Sequence, residues 1–95
     1  MELNTLRDLF VEQLQDLYNA ESQLIKALPK MAKKATNEEL KQALEQHLGE
    51  TEQQRERLDQ IFELLGEKAG RHKCKAMEGL IEESEELLKE DAEPE

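Results

Sequence analysis

The sequence predicts an all-α protein: an antiparallel hairpin of two long helices followed by a shorter third helix, together half of a four-helix bundle. Three observations carry this prediction. Of 95 residues, 38% are charged and 3% aromatic, and mean hydropathy is −0.86. Abundant Leu, Glu, Lys and Gln with few β-branched residues favour helix throughout. Apolar residues recur in steps of three and four, the period of one helix face, and no alternating run is long enough to make a strand. Helix-start and helix-stop signals at Thr5, Thr36 and Gly66 divide the chain into segments.

The first helix is expected from about Thr5 to Lys34. Thr5 and Asp8 make a start like a capping box. The stripe reads Leu3, Leu6, Phe10, Leu14, Leu17, Glu21, Leu24, Leu28, Met31, Ala35. Every position is apolar except Glu21. Pro29 lies inside the pattern and removes the hydrogen bond to the Ile25 carbonyl, so a kink is expected there. The period resumes at Met31, which argues against a full stop.

Thr36-Asn37-Glu38-Glu39 restarts the chain as a helix. Thr36 and Glu39 have capping-box spacing, and acids crowd the first turn. This second helix should run from about Asn37 to Leu65, with Gly66 as the residue that ends it. Its inward face is Leu40, Ala43, Leu44, His47, Glu50, Thr51, Gln54, Leu58, Ile61 and Leu65, apolar at both ends and polar in the middle. Residues 66–70 form a loop. A third helix is expected from about His72 to Lys89 on a stripe of Cys74, Met77, Ile81, Ser84 and Leu88, widened by Leu80 and Leu87. Gly79 inside it reads as close approach of another helix or as simple tolerance. Residues 1–90 form one domain, and 91–95 a frayed tail.

A hairpin turning near Thr36 and Asn37 makes facing positions sum to about 72. Glu21 then lies level with Thr51, beside Glu50, and the polar residues of both stripes meet at one depth between leucine-rich layers. A hairpin alone leaves one side of each stripe wet, so the stripes predict a homodimer or higher homo-oligomer that closes a four-helix bundle.

In such a dimer, Glu21, Glu50, His47 and Gln54 of both chains project into one layer. The four carboxylates cannot all stay ionised in a dry core, because like charges raise each other's pKa. A cation resolves the conflict, and di-iron or di-manganese bundles are built this way. The sequence departs from their Glu-x-x-His spacing: Gln53 follows Glu50 by three, while His47 precedes it by three. A neutral amide is also a weaker ligand for iron than imidazole. The alternatives are a metal-free Glu21 paired with His47 or hydrogen-bonded to Gln54 and Tyr18, and a polar layer that only sets register in an interaction module. Gln54 is equally suited to ligate or to hydrogen-bond a ligand. Cys74 packs as a small apolar residue, and His72 reads as surface.

Net charge is −10, distributed as 0 over residues 1–35 and −5 over each of 36–70 and 71–95. That balance disfavours nucleic acid and anionic membranes as partners. A single cysteine excludes an intramolecular disulfide. No signal peptide or stretch of about 20 apolar residues is present, so a cytoplasmic location is expected.

The segments LFVEQLQDLYNAESQLIKALPKMAKK (9–34), HLGETEQQRERLDQIFELL (47–65) and CKAMEGLIEE (74–83) resemble the YciE/YciF-type ferritin-like proteins, which are bacterial and stress-associated. The resemblance covers nearly the whole chain and keeps the blocks in family order. It implies a ferritin-like bundle with a carboxylate-bridged dinuclear site of iron or manganese. Ligand positions fall on Glu21 of the LYNAE block and Glu50 of the HxxET block, and Gln54 takes a position where the family carries Gln or His. Oxidation of Fe(II) by oxygen or peroxide is the further extension. Family members continue into two more long helices that complete the bundle. This chain stops where the connecting loop would lead into them. A truncated gene or fragment is one account. A half-bundle completed by a symmetry mate, or by a full-length paralogue, is the other.

Overall fold

The computed structural model describes residues 5–92 as three helices: α1 (Leu6–Lys34), α2 (Glu38–Leu65) and α3 (Lys75–Ala92). Local chemistry accounts for most boundaries. Thr5 is extended, and its hydroxyl accepts the Asp8 N–H at 3.0 Å, which satisfies one of the free donors of a helix start. Helix α1 continues through Pro29, as the resumed period requires, and closes on Lys33 and Lys34, which suit its negative end. Asn37, rather than Thr36, caps α2: its Oδ1 accepts the Leu40 N–H at 3.0 Å. Gly66 takes the left-handed conformation with φ 68°, and the Glu67 N–H returns to the Phe62 carbonyl at 3.0 Å. Such a closure favours a residue without Cβ.

Helix α3 begins three residues later than the sequence suggests and runs three further. The reason for the late start is long-range. Asn19 Oδ1 accepts the Cys74 N–H at 2.7 Å, and Gln23 Nε2 donates to the Cys74 carbonyl at 2.9 Å and to Asn19 Oδ1 at 2.7 Å. These bonds from α1 hold the backbone at Cys74, whose carbonyl also takes the first helical bond, from the Glu78 N–H at 3.2 Å. Asp91 and Ala92 are helical rather than frayed; residues 93–95 of the expected tail lie outside the described residues. A Cβ at Gly79 would meet nothing within 4 Å, so no other helix of this chain approaches it closely and the glycine is simply tolerated.

Helix α1 is the middle element. Both α2 and α3 pack on it, and among the described residues they do not pack on each other. The hairpin is antiparallel in the expected register: Arg7 Nη2 donates to the Leu65 carbonyl at 2.8 Å, and these positions sum to 72. Tyr18 meets Phe62 edge-on at 5.7 Å, and the Arg55 guanidinium sits 5.2 Å from the Tyr18 ring while donating to its hydroxyl at 3.2 Å.

The buried set corrects the stripes. Val11, Ala20, Ala27, Leu28 and Ala32 are buried on α1, and Thr51, Leu58 and Phe62 on α2. Leu6 is 85% exposed, Phe10 51% and Leu17 46%. Leu40 on α2 is exposed, as are Leu80 and Leu87 on α3. Helix α1 has neighbours on two flanks, so its buried residues follow two lines, one toward Phe62 and one toward Cys74. Along the leucine stripe, Leu6, Phe10 and Leu17 are left open while Leu28 is buried, in a rod measuring 55 × 22 × 16 Å. No helix among the described residues is long and apolar enough to cross a membrane.

Candidate functional site

Glu21 sits in the middle of α1, on the edge of the α1–α2 seam. It shares a cleft of about 350 Å³ with Leu17, Gln54, Arg57, Leu58 and Ile61. The residue as a whole is partly exposed, but its Oε2 is enclosed and accepts no hydrogen bond. Burial therefore pushes the Glu21 carboxyl above its ordinary range, and the nearby His47 works against that rise. An enclosed carboxylate oxygen without a donor is costly, because it loses water and gains no replacement.

The helix period puts Gln54, Arg57, Leu58 and Ile61 on one side of α2, in steps of three and four. His47 lies two turns before Gln54. Its ring is exposed at the seam, and its backbone carbonyl accepts the hydroxyl of Thr51 at 2.7 Å. The same hydroxyl oxygen is 3.2 Å from His47 Nδ1. Thr51 itself is completely buried.

The structure thus brings Glu21 and Gln54 into one cleft and sets His47 within electrostatic reach of it. Glu50 is not part of that group: it is exposed, and its Oε1 accepts from Gln46 Nε2 at 3.4 Å along its own helix. Among the described residues no three His, Cys, Asp or Glu side chains stand close enough to hold a metal ion. One chain brings one carboxylate and one amide into this cleft, with an imidazole nearby. The Tyr18 hydroxyl is engaged by Arg55 and does not reach Glu21 Oε2. Sequence reasoning missed Arg57, which lines the cleft as the one cationic side chain there. Its spacing of three from Gln54 was the available signal.

Known proteins carry the same chain fold. Residues 5–95 match the family described as Domain of unknown function (DUF892). Protein YciF of Escherichia coli (strain K12) is 48% identical over 89 residues, covering 93% of this chain and 54% of that protein. The crystal structure of the E. coli stress protein YciF superimposes with a TM-score of 0.83 at 49% identity, over 90% of this chain and 54% of that one. YcfI of Rhodopseudomonas palustris superimposes with a TM-score of 0.85 at 48% identity, over 94% and 57%. The chain belongs to the DUF892 family, of the YciF type. It spans about half the length of the relatives it matches.

Proposed function

We propose that this family member is a ferritin-like, stress-associated protein that holds iron or manganese between two helical hairpins. The observation that carries the reading is Glu21 Oε2, enclosed in a cleft with Gln54 and left without a hydrogen-bond donor. Such an oxygen lacks a partner, and a bound cation would supply one. The donor types fit as half of a site, since carboxylate and amide oxygens and an imidazole nitrogen all suit iron or manganese. A second hairpin facing the open apolar side would double the set and bring in Glu50 by a rotamer change. When bound, iron supplies one-electron chemistry toward oxygen or peroxide. The chain's own contribution is to hold Glu21 at the seam, where burial disfavours its bare anion and a bound cation would offset that cost.

The occupant of the open face is taken to be a second copy of this chain. Leu6, Phe10 and Leu17 stand exposed along one face of α1, and a second copy would bring the same apolar residues to meet them. Those exposed residues also favour a second reading, a metal-free assembly module, because they call for a partner whatever Glu21 does. Metal analysis after anaerobic iron loading separates the two. The wild type should retain iron and Glu21→Ala should lose most of it, with a melting temperature that falls on adding chelator to the wild type alone. Equal metal content in both proteins would sink the metal reading.

A further inference from the structure

We propose that Thr51 fixes the tautomer of His47, so that the neutral ring carries its proton on Nδ1 and keeps a bare Nε2. The use of that nitrogen rests on the function proposed above; the tautomer itself does not.

The argument is a count of protons. A threonine hydroxyl has one hydrogen to donate and two lone pairs to accept with. Thr51 Oγ1 lies 2.7 Å from the His47 carbonyl and 3.2 Å from His47 Nδ1, and Thr51 is fully buried, so water does not share its bonding. A carbonyl oxygen has no hydrogen of its own. The 2.7 Å contact is therefore a bond only if Thr51 donates to it; otherwise two acceptors face each other at close range. With its single hydrogen spent, Oγ1 can only accept from the ring, which requires a proton on Nδ1. The neutral ring then carries its lone pair on Nε2. Histidine in water prefers the opposite tautomer, with the proton on Nε2, so the hydroxyl reverses the resting preference.

The consequence is a free acceptor nitrogen on a ring close enough to act on the Glu21 charge, in a chain whose Glu21 Oε2 already lacks a donor; a cation could use both. A metal-binding histidine is held in the same way, its other ring nitrogen donating to a fixed oxygen that sets orientation and tautomer. Thr51 is thus a positioning residue, acting through His47.

Multiple-bond ¹H–¹⁵N spectra of the metal-free full chain at about pH 9, where a model imidazole is neutral, read the tautomer directly. His47 should carry its proton on Nδ1 in the wild type and in Thr51→Ser, and shift to the Nε2-protonated form in Thr51→Val. The valine variant should stay helical, since a hydroxyl bonded to the carbonyl four residues back adds little to a helix. Nε2 protonation in the wild type, or an unchanged tautomer in Thr51→Val, overturns the assignment. Adding Mn²⁺ alone gives the second readout. It should broaden the His47 ring resonances of the wild type, with about 10-fold more metal needed for Thr51→Val. The expected tautomer without any broadening would leave the hydroxyl's role standing and overturn the metal reading.

Discussion

Helix α1 carries polar side chains toward both flanks, and the two flanks are finished differently. Toward α3, Asn19 and Gln23 share a closed set of bonds with each other and with both backbone groups of Cys74. The clasp continues down the helix, where Asp16 meets His72 at 2.8 Å and Gln15 donates to the Lys68 carbonyl at 3.0 Å. Toward the open edge of the α2 seam, Glu21 brings a carboxylate into an apolar cleft, and one oxygen finds no donor. A closed polar network fixes structure and asks for nothing further. An open one carries a cost that a leucine at position 21, continuing the stripe, would not. The contrast leaves α3 fastened to α1 and the α1–α2 edge with an unmet polar atom.

The largest effect should come from loading the open edge with charge. Leu17 is half-exposed and lines the cleft beside Glu21. Leu17→Glu should leave the single chain folded, since a surface change away from core and caps usually costs under about 0.5 kcal/mol. In a paired assembly it would add two buried carboxylates to a layer already rich in them. Self-association should weaken at least 100-fold, close to 3 kcal/mol, and sedimentation equilibrium measures it. A wild type that stays monomeric at tens of micromolar would remove the second copy from the argument.

Breaking the closed flank should be the next largest. Asn19→Ala deletes the acceptor for the Cys74 N–H and for Gln23. Leaving a part-buried donor unpaired costs about 1–3 kcal/mol. The damage should be local: hydrogen exchange of the α3 amides should accelerate well before that of α1 and α2. Uniform acceleration across all three helices would mean that α3 is not a separable element clasped by these bonds.

That comparison also explains what could be read from the sequence. The caps at Thr5 and Gly66 and the antiparallel register were legible, because each depends on a few adjacent residues or on helix period. The start of α3 was not: the residues that delay it, Asn19 and Gln23, lie about fifty positions away and read locally as ordinary polar helix. The cores of the two long helices were half legible. Val11 and Phe62 are buried although they fall off the stripes, whereas Leu6, Phe10 and Leu17 fall on the stripe and are exposed. Periodicity marks a face suited to burial without stating which neighbour covers it. Of the site, Glu21 was conspicuous as the one charge on an apolar line, and Gln54 and His47 followed from register. Glu50 shared their height, but its side chain bonds along its own helix to Gln46, a rotamer choice that spacing does not determine.

The smallest effect is the most diagnostic of the open flank. Burial holds the Glu21 carboxyl above the ordinary value of 4.5, against the opposing pull of His47. The folded chain therefore binds this proton more tightly than the unfolded chain does. The stability that Glu21 contributes is fully present below the ordinary carboxylate value and is lost as pH rises through the raised one, so at pH 7 the ionised group is a net cost. Glu21→Gln cannot ionise. In chelator at pH 7 it should melt slightly above the wild type, by less than the Asn19→Ala loss, because the residue is only partly buried and solvent screens it. The gap should close as both proteins are taken below pH 4. The other acids of this chain titrate over the same range, so the difference between the two proteins is the quantity to follow. Added Mn²⁺ should reverse the sign, since the carboxylate then has a partner and the amide binds it less well. A wild type that outlasts Glu21→Gln at pH 7 in chelator would show that the enclosed oxygen already has what it needs within the chain, and the two flanks of α1 would no longer differ in kind.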